Sequence, residues 1–172
     1  MNYIIKLKTI DCFIFDVDGV LTHGIVLING TDYQRSIHVK DSYAIQYAAK
    51  LGYKIFLITG GESEFIRKTY IKLGVTDVRL ESSNKKEVFE QLVKAFGVTA
   101  ERSLYMGDDI PDYSPMQLVG LACCPADAAT EIKQISHYIS PINGGNGCAR
   151  DVIEKVLKLN GHWDLESGVA AK

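Results

Sequence analysis

The sequence lacks any apolar run approaching the ~18 residues that a membrane-spanning helix requires. It also lacks an excess of basic side chains, because 19 Lys and Arg residues stand against 21 Asp and Glu residues, for a net charge of -2. A nucleic-acid-binding surface is therefore not expected. A cleavable signal pattern is missing too, since acidic Asp16 and Asp18 directly follow the first apolar stretch. These absences predict a cytoplasmic protein without nucleic-acid or membrane partners.

Cysteines with metal-binding or redox spacing are absent as well. None of the four cysteines forms a CxxC pair, and most lie in or beside apolar segments, so buried free thiols are predicted. Apolar residues make up 47% of the chain and charged residues 23%, which is typical of a globular protein with a core. That composition excludes a disordered chain and a disulfide-stapled miniprotein. The length of 172 residues favours one domain.

What the sequence does contain is a regular alternation of apolar runs and helical spacings, which predicts an α/β fold with a parallel sheet and helices on both faces. A turn signal at residues 29–30 between two β-type segments also predicts a β-hairpin after the first strand. Strands are predicted at residues 10–16, 54–58, 77–80, 103–106, 121–124 and 138–139. Helices are predicted at residues 41–51 (with Asp41 as the N-cap), 62–73, 84–96, 112–119, 126–135 and 149–159, followed by a flexible tail at residues 161–172.

Acidic side chains concentrate just after the apolar runs. The first predicted strand is followed by Asp16 and Asp18, and the second by Thr59. The fourth predicted strand is followed by Asp108 and Asp109. Ligands of parallel α/β sheets bind at the carboxyl ends of the strands, where four like charges would repel by several kcal/mol unless a cation neutralises them. An oxygen-only ligand set favours Mg²⁺, although each aspartate alone is also compatible with a turn or a helix cap.

Residues 16–22, with the sequence DVDGVLT, resemble the DxDGxLT signature of the haloacid dehalogenase superfamily. Thr59 resembles the second motif of that superfamily, Lys85 the third, and the sequence GDD at residues 107–109 the fourth. The resemblance implies a Rossmann-like sheet and a single phosphatase domain over residues 1–160. It also implies Mg²⁺-dependent phosphate ester hydrolysis through an aspartyl-phosphate intermediate.

The resemblance implies a role for each matched acidic residue. Asp16 would be the nucleophile, and Asp18 would protonate the leaving alcohol and then deprotonate the attacking water. Mg²⁺ would be held by the carboxylates of Asp16 and Asp108 and by the main-chain carbonyl of Asp18. Asp109 would support these ligands through hydrogen bonds, together with Asp112.

Phosphate and substrate contacts are implied for a second group of residues. Thr59, with Gly60, and Lys85 would bind the phosphoryl oxygens as charge develops. Taken alone, Lys85 is also compatible with a solvated lysine beside Lys86. Arg67 is a candidate anion contact, and a solvated helix face explains it equally well.

The spacing of the motifs leaves no room for a cap domain. Only a hairpin, a helix and a strand fit between Thr22 and Thr59, and only a helix and a strand fit between Thr59 and Lys85. The site is therefore expected to be open in a single chain. We expect the hairpin at about residues 24–40 to form a flap that packs against a neighbouring copy, the alternative being a site left open for a large substrate.

Superfamily members that lack a cap domain and carry such a hairpin include the 3-deoxy-D-manno-octulosonate 8-phosphate phosphatases. Three segments of this sequence resemble that family. These are VKDSYA at residues 39–44, GDDIPD at residues 107–112 and GGNGCARD at residues 144–151. The resemblance implies a homotetramer that hydrolyses a sugar-acid phosphate in lipopolysaccharide precursor synthesis. The glycine-rich segment precedes a helix, whose N-terminus suits either a substrate carboxylate or plain helix capping.

Two positions depart from the pattern of these relatives. Gly61 stands where many carry a charged residue, and Thr69 stands where many carry an arginine. The departures leave a nine-carbon keto-deoxy sugar-acid 9-phosphate as an alternative substrate. A receiver-type signalling domain is the alternative from another class, since it also combines Mg²⁺, aspartates, a threonine and a lysine. Such domains lack an acid/base partner equivalent to Asp18.

Overall fold

The computed structural model describes residues 3–29, 32–164 and 166, which are built around a six-stranded parallel sheet. The strands are β1 (Cys12–Phe15), the hairpin pair β2 (Leu27–Asn29) and β3 (Asp32–Gln34), β4 (Lys54–Ile58), β5 (Asp77–Arg79), β6 (Ser103–Met106), β7 (Leu121–Cys124) and β8 (Tyr138–Ile139). The sheet order is β5-β4-β1-β6-β7-β8, and β2 and β3 form a separate two-stranded sheet. The predicted parallel sheet and the hairpin after its first strand are confirmed.

Helices cover both faces of the sheet. They are α1 (Tyr3–Leu7), α2 (Val39–Lys50), α3 (Glu64–Lys72), α4 (Lys85–Phe96), α5 (Tyr113–Met116), α6 (Thr130–Ile135) and α7 (Cys148–Leu159). Phe13 and Phe15 of β1 join the core beneath α1, α2, α3 and α7, whereas Ile14 joins the core beneath α4, α5 and α6. Successive strand residues point to opposite faces, so continuous apolar strands fill both cores. Across the described ranges, no helix has the length and apolar character needed to cross a bilayer.

The differences from prediction lie mainly at the ends of elements. The helix predicted at residues 112–119 is a 3₁₀ turn (Ile110–Asp112) followed by the short α5. Pro115 explains the break, because it lacks the backbone N–H that a helix continuous with the 3₁₀ turn would need. The helix predicted from residue 126 begins at Thr130, and the hairpin strands have only three residues each. The sequence analysis did not predict α1, which packs on the core through Leu7.

Asp41 does not cap α2 as predicted. The helix begins two residues earlier, with His38 at the N-cap position, and the Asp41 side chain is fully buried. Oδ1 of Asp41 accepts a hydrogen bond at 2.7 Å from the backbone N–H of Arg150, in the first turn of α7. The N-cap of α7 is Gly147, which has no side chain, so Asp41 caps that helix from another element. Burial raises the pKa of Asp41 in spite of this contact.

The first residues of the predicted tail pack against α2 and α7. The ring of Trp163 lies 5.0 Å from the ring of Tyr47, and the guanidinium of Arg150 lies 5.4 Å from the Trp163 ring. The backbone N–H of Asp164 donates to the hydroxyl of Tyr47 at 3.0 Å. Of the rest of the predicted tail, the structure describes residue 166. Leu165 and residues 167–172 lie outside the described residues.

Candidate active site

The carboxyl ends of three neighbouring strands bring the predicted polar residues to one edge of the sheet. Asp16 follows β1, Thr59 follows β4, and Asp108 lies two residues after β6. β1 pairs in parallel with both β4 and β6, so the three ends are adjacent. The turn after β6 requires glycine, since a methyl group on Gly107 would collide with the side chain of Asp112. The strand-end placement that the sequence analysis used is therefore correct for all three polar residues.

Lys85 joins two carboxylates at this edge. Its Nζ donates to Oδ1 of Asp16 at 2.6 Å and to Oδ1 of Asp112 at 2.7 Å, and the side chain is buried. Lys85 is the first residue of α4, whose N-cap Asn84 accepts a hydrogen bond from the backbone N–H of Glu87. Burial alone would lower the pKa of Lys85, but the charges of Asp16 and Asp112 outweigh it and raise that pKa. The buried ammonium is therefore retained.

Asp112 has a more central position than the sequence analysis gave it. Besides Lys85, the hydroxyl of Tyr105 donates to Oδ1 at 2.8 Å, and the backbone N–H of Asp108 donates to Oδ2 at 3.3 Å. Tyr105 is fully buried on β6. Asp109, in contrast, is exposed, and its side chain does not cap the 3₁₀ turn that follows it. The supporting hydrogen bonds around the site converge on Asp112 and not on Asp109.

Three carboxylates of this edge form a compact cluster. Asp16, Asp108 and Asp112 each place an oxygen within 4.8 Å of the others. Burial and then the charge of Asp112 raise the pKa of Asp16 well above its ordinary value, and the same two causes raise the pKa of Asp108 to about 6. Three carboxylates around one ammonium leave an excess of negative charge. The cluster therefore fits a hard divalent cation with oxygen ligands, such as Mg²⁺.

Asp18 has a separate set of partners. Its Oδ1 accepts hydrogen bonds from Oγ1 of Thr22 at 3.0 Å and from Nε of Arg35 at 2.7 Å. The hydrogen bond to Asp18 raises the pKa of Arg35, which keeps the guanidinium charged. Sequence reasoning missed Arg35. The only signal was a lone arginine at the returning end of a hairpin expected to cover an acidic site.

Thr59 and Asp18 face the same space above Gly61. Oγ1 of Thr59 is buried and accepts a hydrogen bond from the backbone N–H of Gly61 at 3.0 Å. A methyl group placed on Gly61 would lie 3.4 Å from Oγ1 of Thr59 and 3.5 Å from Oδ2 of Asp18. Both oxygens thus border the space above Gly61. Gly60 is exposed, and a methyl group placed on it would meet nothing within 4 Å.

Arg67 lies apart from the polar residues gathered at the carboxyl ends of β1, β4 and β6. It lies on α3, is 49% exposed, and pairs with Glu64 of the same helix at 3.5 Å. It lines a polar groove beside β5 together with Glu62 and Arg79. The arrangement matches the solvated helix face that the sequence analysis left open for it.

The glycine-rich segment before α7 supports the loop of the first motif. The backbone N–H of Gly145 donates to the carbonyl of Val20 at 2.9 Å. A methyl group on Gly144 would collide with the carbonyl of Gly19. Gly19 itself has φ +101°, and a methyl group on it would collide with the carboxylate of Asp108. Glycine is therefore required at two contacts, that of Gly144 with the first motif and that of Gly19 with Asp108 of the fourth motif.

Of the two alternatives for the N-terminus of α7, the structure shows helix capping. The carboxylate that meets this N-terminus is the chain's own Asp41, bound to the backbone N–H of Arg150. Asn146, also in the glycine-rich segment, accepts a hydrogen bond on its Oδ1 from Nε2 of His23 if that nitrogen carries the proton, at 3.2 Å. The segment thus contacts the flap region as well as the first motif.

This fold is that of a haloacid dehalogenase-like hydrolase, and the family model of that description matches residues 38–120. The 3-deoxy-D-manno-octulosonate 8-phosphate phosphatase KdsC of Escherichia coli (strain K12) is 31% identical over 168 residues, which cover 97% of this chain and 89% of that protein. The chain belongs to the 3-deoxy-D-manno-octulosonate 8-phosphate phosphatase family. The predicted family is thereby confirmed.

Solved structures of this family have the same fold. The phosphatase from Yersinia pestis has a TM-score of 0.90 at 27% identity, over 94% of this chain and 88% of that chain. The phosphatase from Moraxella catarrhalis, in complex with a magnesium ion, a phosphate ion and a KDO molecule, has a TM-score of 0.89 at 29% identity. That match covers 94% of each chain.

Proposed function

We propose that this chain is a Mg²⁺-dependent phosphomonoesterase that hydrolyses 3-deoxy-D-manno-octulosonate 8-phosphate to the free sugar acid and phosphate. The observation that carries the proposal is the buried Asp16 at the end of the central strand, bound by Lys85 and clustered with Asp108. Similarity to the Escherichia coli phosphatase over 97% of the chain supports the choice of substrate.

The reaction divides into two steps that use the same two aspartates. A carboxylate oxygen of Asp16 forms a bond to phosphorus while the bond from phosphorus to the sugar oxygen breaks, and Asp18 gives its proton to that oxygen. Asp18 then takes a proton from the water that attacks the aspartyl-phosphate, which releases phosphate and restores Asp16. This second use of Asp18 separates a hydrolase that turns over from a receiver-type domain that stores phosphate.

The remaining residues bind and orient. Thr59, with the exposed Gly60 beside it, and Lys85 bind phosphoryl oxygens as negative charge develops on them. Asp16, Asp108 and the main-chain carbonyl of Asp18 would hold Mg²⁺, which when bound supplies positive charge against the phosphoryl group. Asp112 orients Lys85 and the backbone of Asp108, and Asp109 adds charge at the rim.

We extend the proposal to assembly into a homotetramer, which the family resemblance and the exposed apolar side chains of the flap support. Ile25, Leu27 and Ile28 of the hairpin region are 63–71% exposed, an apolar surface that a second copy could cover. In this proposal residues 1–160 form the single domain, the flap covers about residues 24–40, and residues 161–172 are a C-terminal tail whose first residues pack against α2 and α7. Light scattering is expected to give the mass of four chains, and a monomer at micromolar concentration would contradict the assembly.

A phosphate-release screen tests the function. The purified chain is offered 3-deoxy-D-manno-octulosonate 8-phosphate, a nine-carbon keto-deoxy sugar-acid 9-phosphate and glucose 6-phosphate, each with Mg²⁺ and with a chelator. We expect the highest kcat/KM for the eight-carbon substrate and no release with the chelator. A higher kcat/KM for the nine-carbon ester would agree with the uncharged Gly61 and Thr69. It would show that the proposed substrate is wrong and the proposed phosphatase reaction is right. Activity undiminished by the chelator would contradict the Mg²⁺ assignment.

The expected place of this reaction is the cytoplasm, in lipopolysaccharide precursor synthesis. Cell fractionation followed by the same phosphate-release assay checks the compartment, and activity confined to a membrane fraction would contradict it.

A further inference from the structure

Arg35 connects the flap hairpin to Asp18 through a short ion pair. Its Nε donates to Oδ1 of Asp18 at 2.7 Å, and the Arg35 side chain is only 12% exposed. Arg35 directly follows β3, at the end of the hairpin strand that returns toward the sheet. The next residue, Ser36, has its Oγ 3.0 Å from Nδ1 of His23. The base of the hairpin is therefore attached to the first-motif loop at two successive residues.

The contacts of Asp18 distinguish its two carboxylate oxygens. Oδ1 accepts hydrogen bonds from Arg35 and from Thr22, which is itself buried. Oδ2 borders the space above Gly61, where Oγ1 of Thr59 is also found. The oxygen that is free of these two donors is thus the one on the same side as the phosphate-binding threonine.

Glycine at position 61 leaves room for the arginine. A methyl group placed on Gly61 would lie 3.2 Å from Nη2 of Arg35, which is closer than ordinary van der Waals contact. A longer side chain at this position would displace the guanidinium, because the fork of Arg35 already fills the space. Arg35 and Gly61 therefore form a complementary pair, one on the flap and the other in the second motif.

We propose that Arg35 is a positioning residue for Asp18, an inference that rests on the proposed phosphatase function. Arg35 fixes Oδ1, so that Oδ2 is the oxygen that gives its proton to the leaving sugar oxygen and later receives one from the attacking water. Because Arg35 belongs to the hairpin, this donor to Oδ1 is in place only when the flap is in place, whereas Thr22 donates to Oδ1 from the first motif itself. Arg35 thereby couples the position of the flap to the proton-transfer steps.

The test compares leaving groups in Arg35→Met. For the sugar-acid phosphate, whose alkoxide leaving group needs a proton, we expect kcat to fall roughly 100-fold at unchanged KM. For p-nitrophenyl phosphate, whose phenolate leaves without a proton, we expect the first-turnover release of p-nitrophenolate to stay within about twofold of wild type. A second measurement adds Asp18→Asn, in which Arg35→Met is expected to cause less than about a further twofold loss.

Arg102→Met is the matched control. Arg102 pairs with Asp11 at 2.8 Å at the opposite end of the sheet and is 56% exposed, so its loss should leave both substrates unaffected. Circular dichroism and thermal unfolding establish that each variant is folded. If Arg35→Met does not fold, Arg35→Lys takes its place, since it keeps the cation and loses the planar fork.

Three results would overturn the proposal. They are equal losses for both leaving groups, a raised KM with kcat unchanged, and an undiminished effect of Arg35→Met in the Asp18→Asn background. Failure of the proposed function looks different. In that case the wild-type chain leaves the sugar-acid phosphate intact, and the comparison uses whichever alkyl phosphate it does hydrolyse; inactivity toward every ester would reject both proposals.

Discussion

Asp16→Asn is expected to abolish phosphate release, by at least about 10⁴-fold, while the protein stays folded. The amide cannot attack phosphorus, whereas its oxygen can still accept the hydrogen bond from Lys85 that Oδ1 of Asp16 accepts at 2.6 Å. Phosphate release in steady state measures the loss, and intact-protein mass spectrometry after mixing with substrate measures the phosphoenzyme. Turnover above the stated level, or a phosphorylated Asp16→Asn protein, would remove Asp16 as the nucleophile.

The same variant also has a consequence for stability in metal-free buffer. Burial, with repulsion from Asp112, raises the pKa of Asp16 well above its ordinary value and that of Asp108 from 3.8 to about 6. The folded state thus binds protons more tightly than the unfolded chain, so wild-type stability falls as pH rises from about 3.8 through about 6. Asp16→Asn removes a carboxyl group whose pKa is raised in the folded state, so its melting temperature should fall less over that range. A steeper fall than in wild type would contradict the electrostatic argument.

Lys85→Met is expected to lower the free energy of unfolding by about 3 kcal/mol and to remove activity. The ammonium is buried between Asp16 and Asp112, so its loss leaves two buried carboxylates without a positive partner. The substitution also takes away a phosphoryl ligand. Urea unfolding in the presence of a chelator measures the free energy of unfolding without any contribution from bound metal.

Lys86→Met is the control for Lys85→Met, because Lys86 is the next residue of α4 and is exposed. It should change stability by less than about 0.5 kcal/mol and leave phosphate release intact. Equal stability of the two variants would mean that the buried ammonium does not balance the carboxylates. Equal activity would contradict the choice of Lys85 over Lys86.

The strand-end residues of the site were predictable because their signal is local. A parallel strand that is buried on both faces reads as a short apolar run, and the polar residue after it must emerge at the carboxyl edge of the sheet. This places Asp16, Thr59 and Asp108 without knowledge of any long-range contact. Lys85 has no such local signal, and the family resemblance identified it.

The contacts that sequence reasoning missed depend on how separate elements pack. Asp41 has the spacing of an N-cap for the helix that contains it, yet it caps α7 because that helix starts at a glycine. Asp112 accepts a hydrogen bond from Tyr105, seven residues earlier on a buried strand. Arg35 reaches Asp18 only after the hairpin folds back over the sheet. None of these partners lies at a spacing that a helix or strand period would reveal.

The backbone contact of Gly144 with Gly19 has a consequence for protein engineering. Each acidic group of the proposed chemistry precedes residue 113, so a shortened chain ending near residue 120 would retain every reactive atom. It would lose Gly144 and Gly145, whose backbone packs against the first-motif loop and holds its conformation. Inserting a peptide at residues 144–145, or placing new chain ends there, would consequently lower the rate of hydrolysis, although these two glycines carry no reactive side chain.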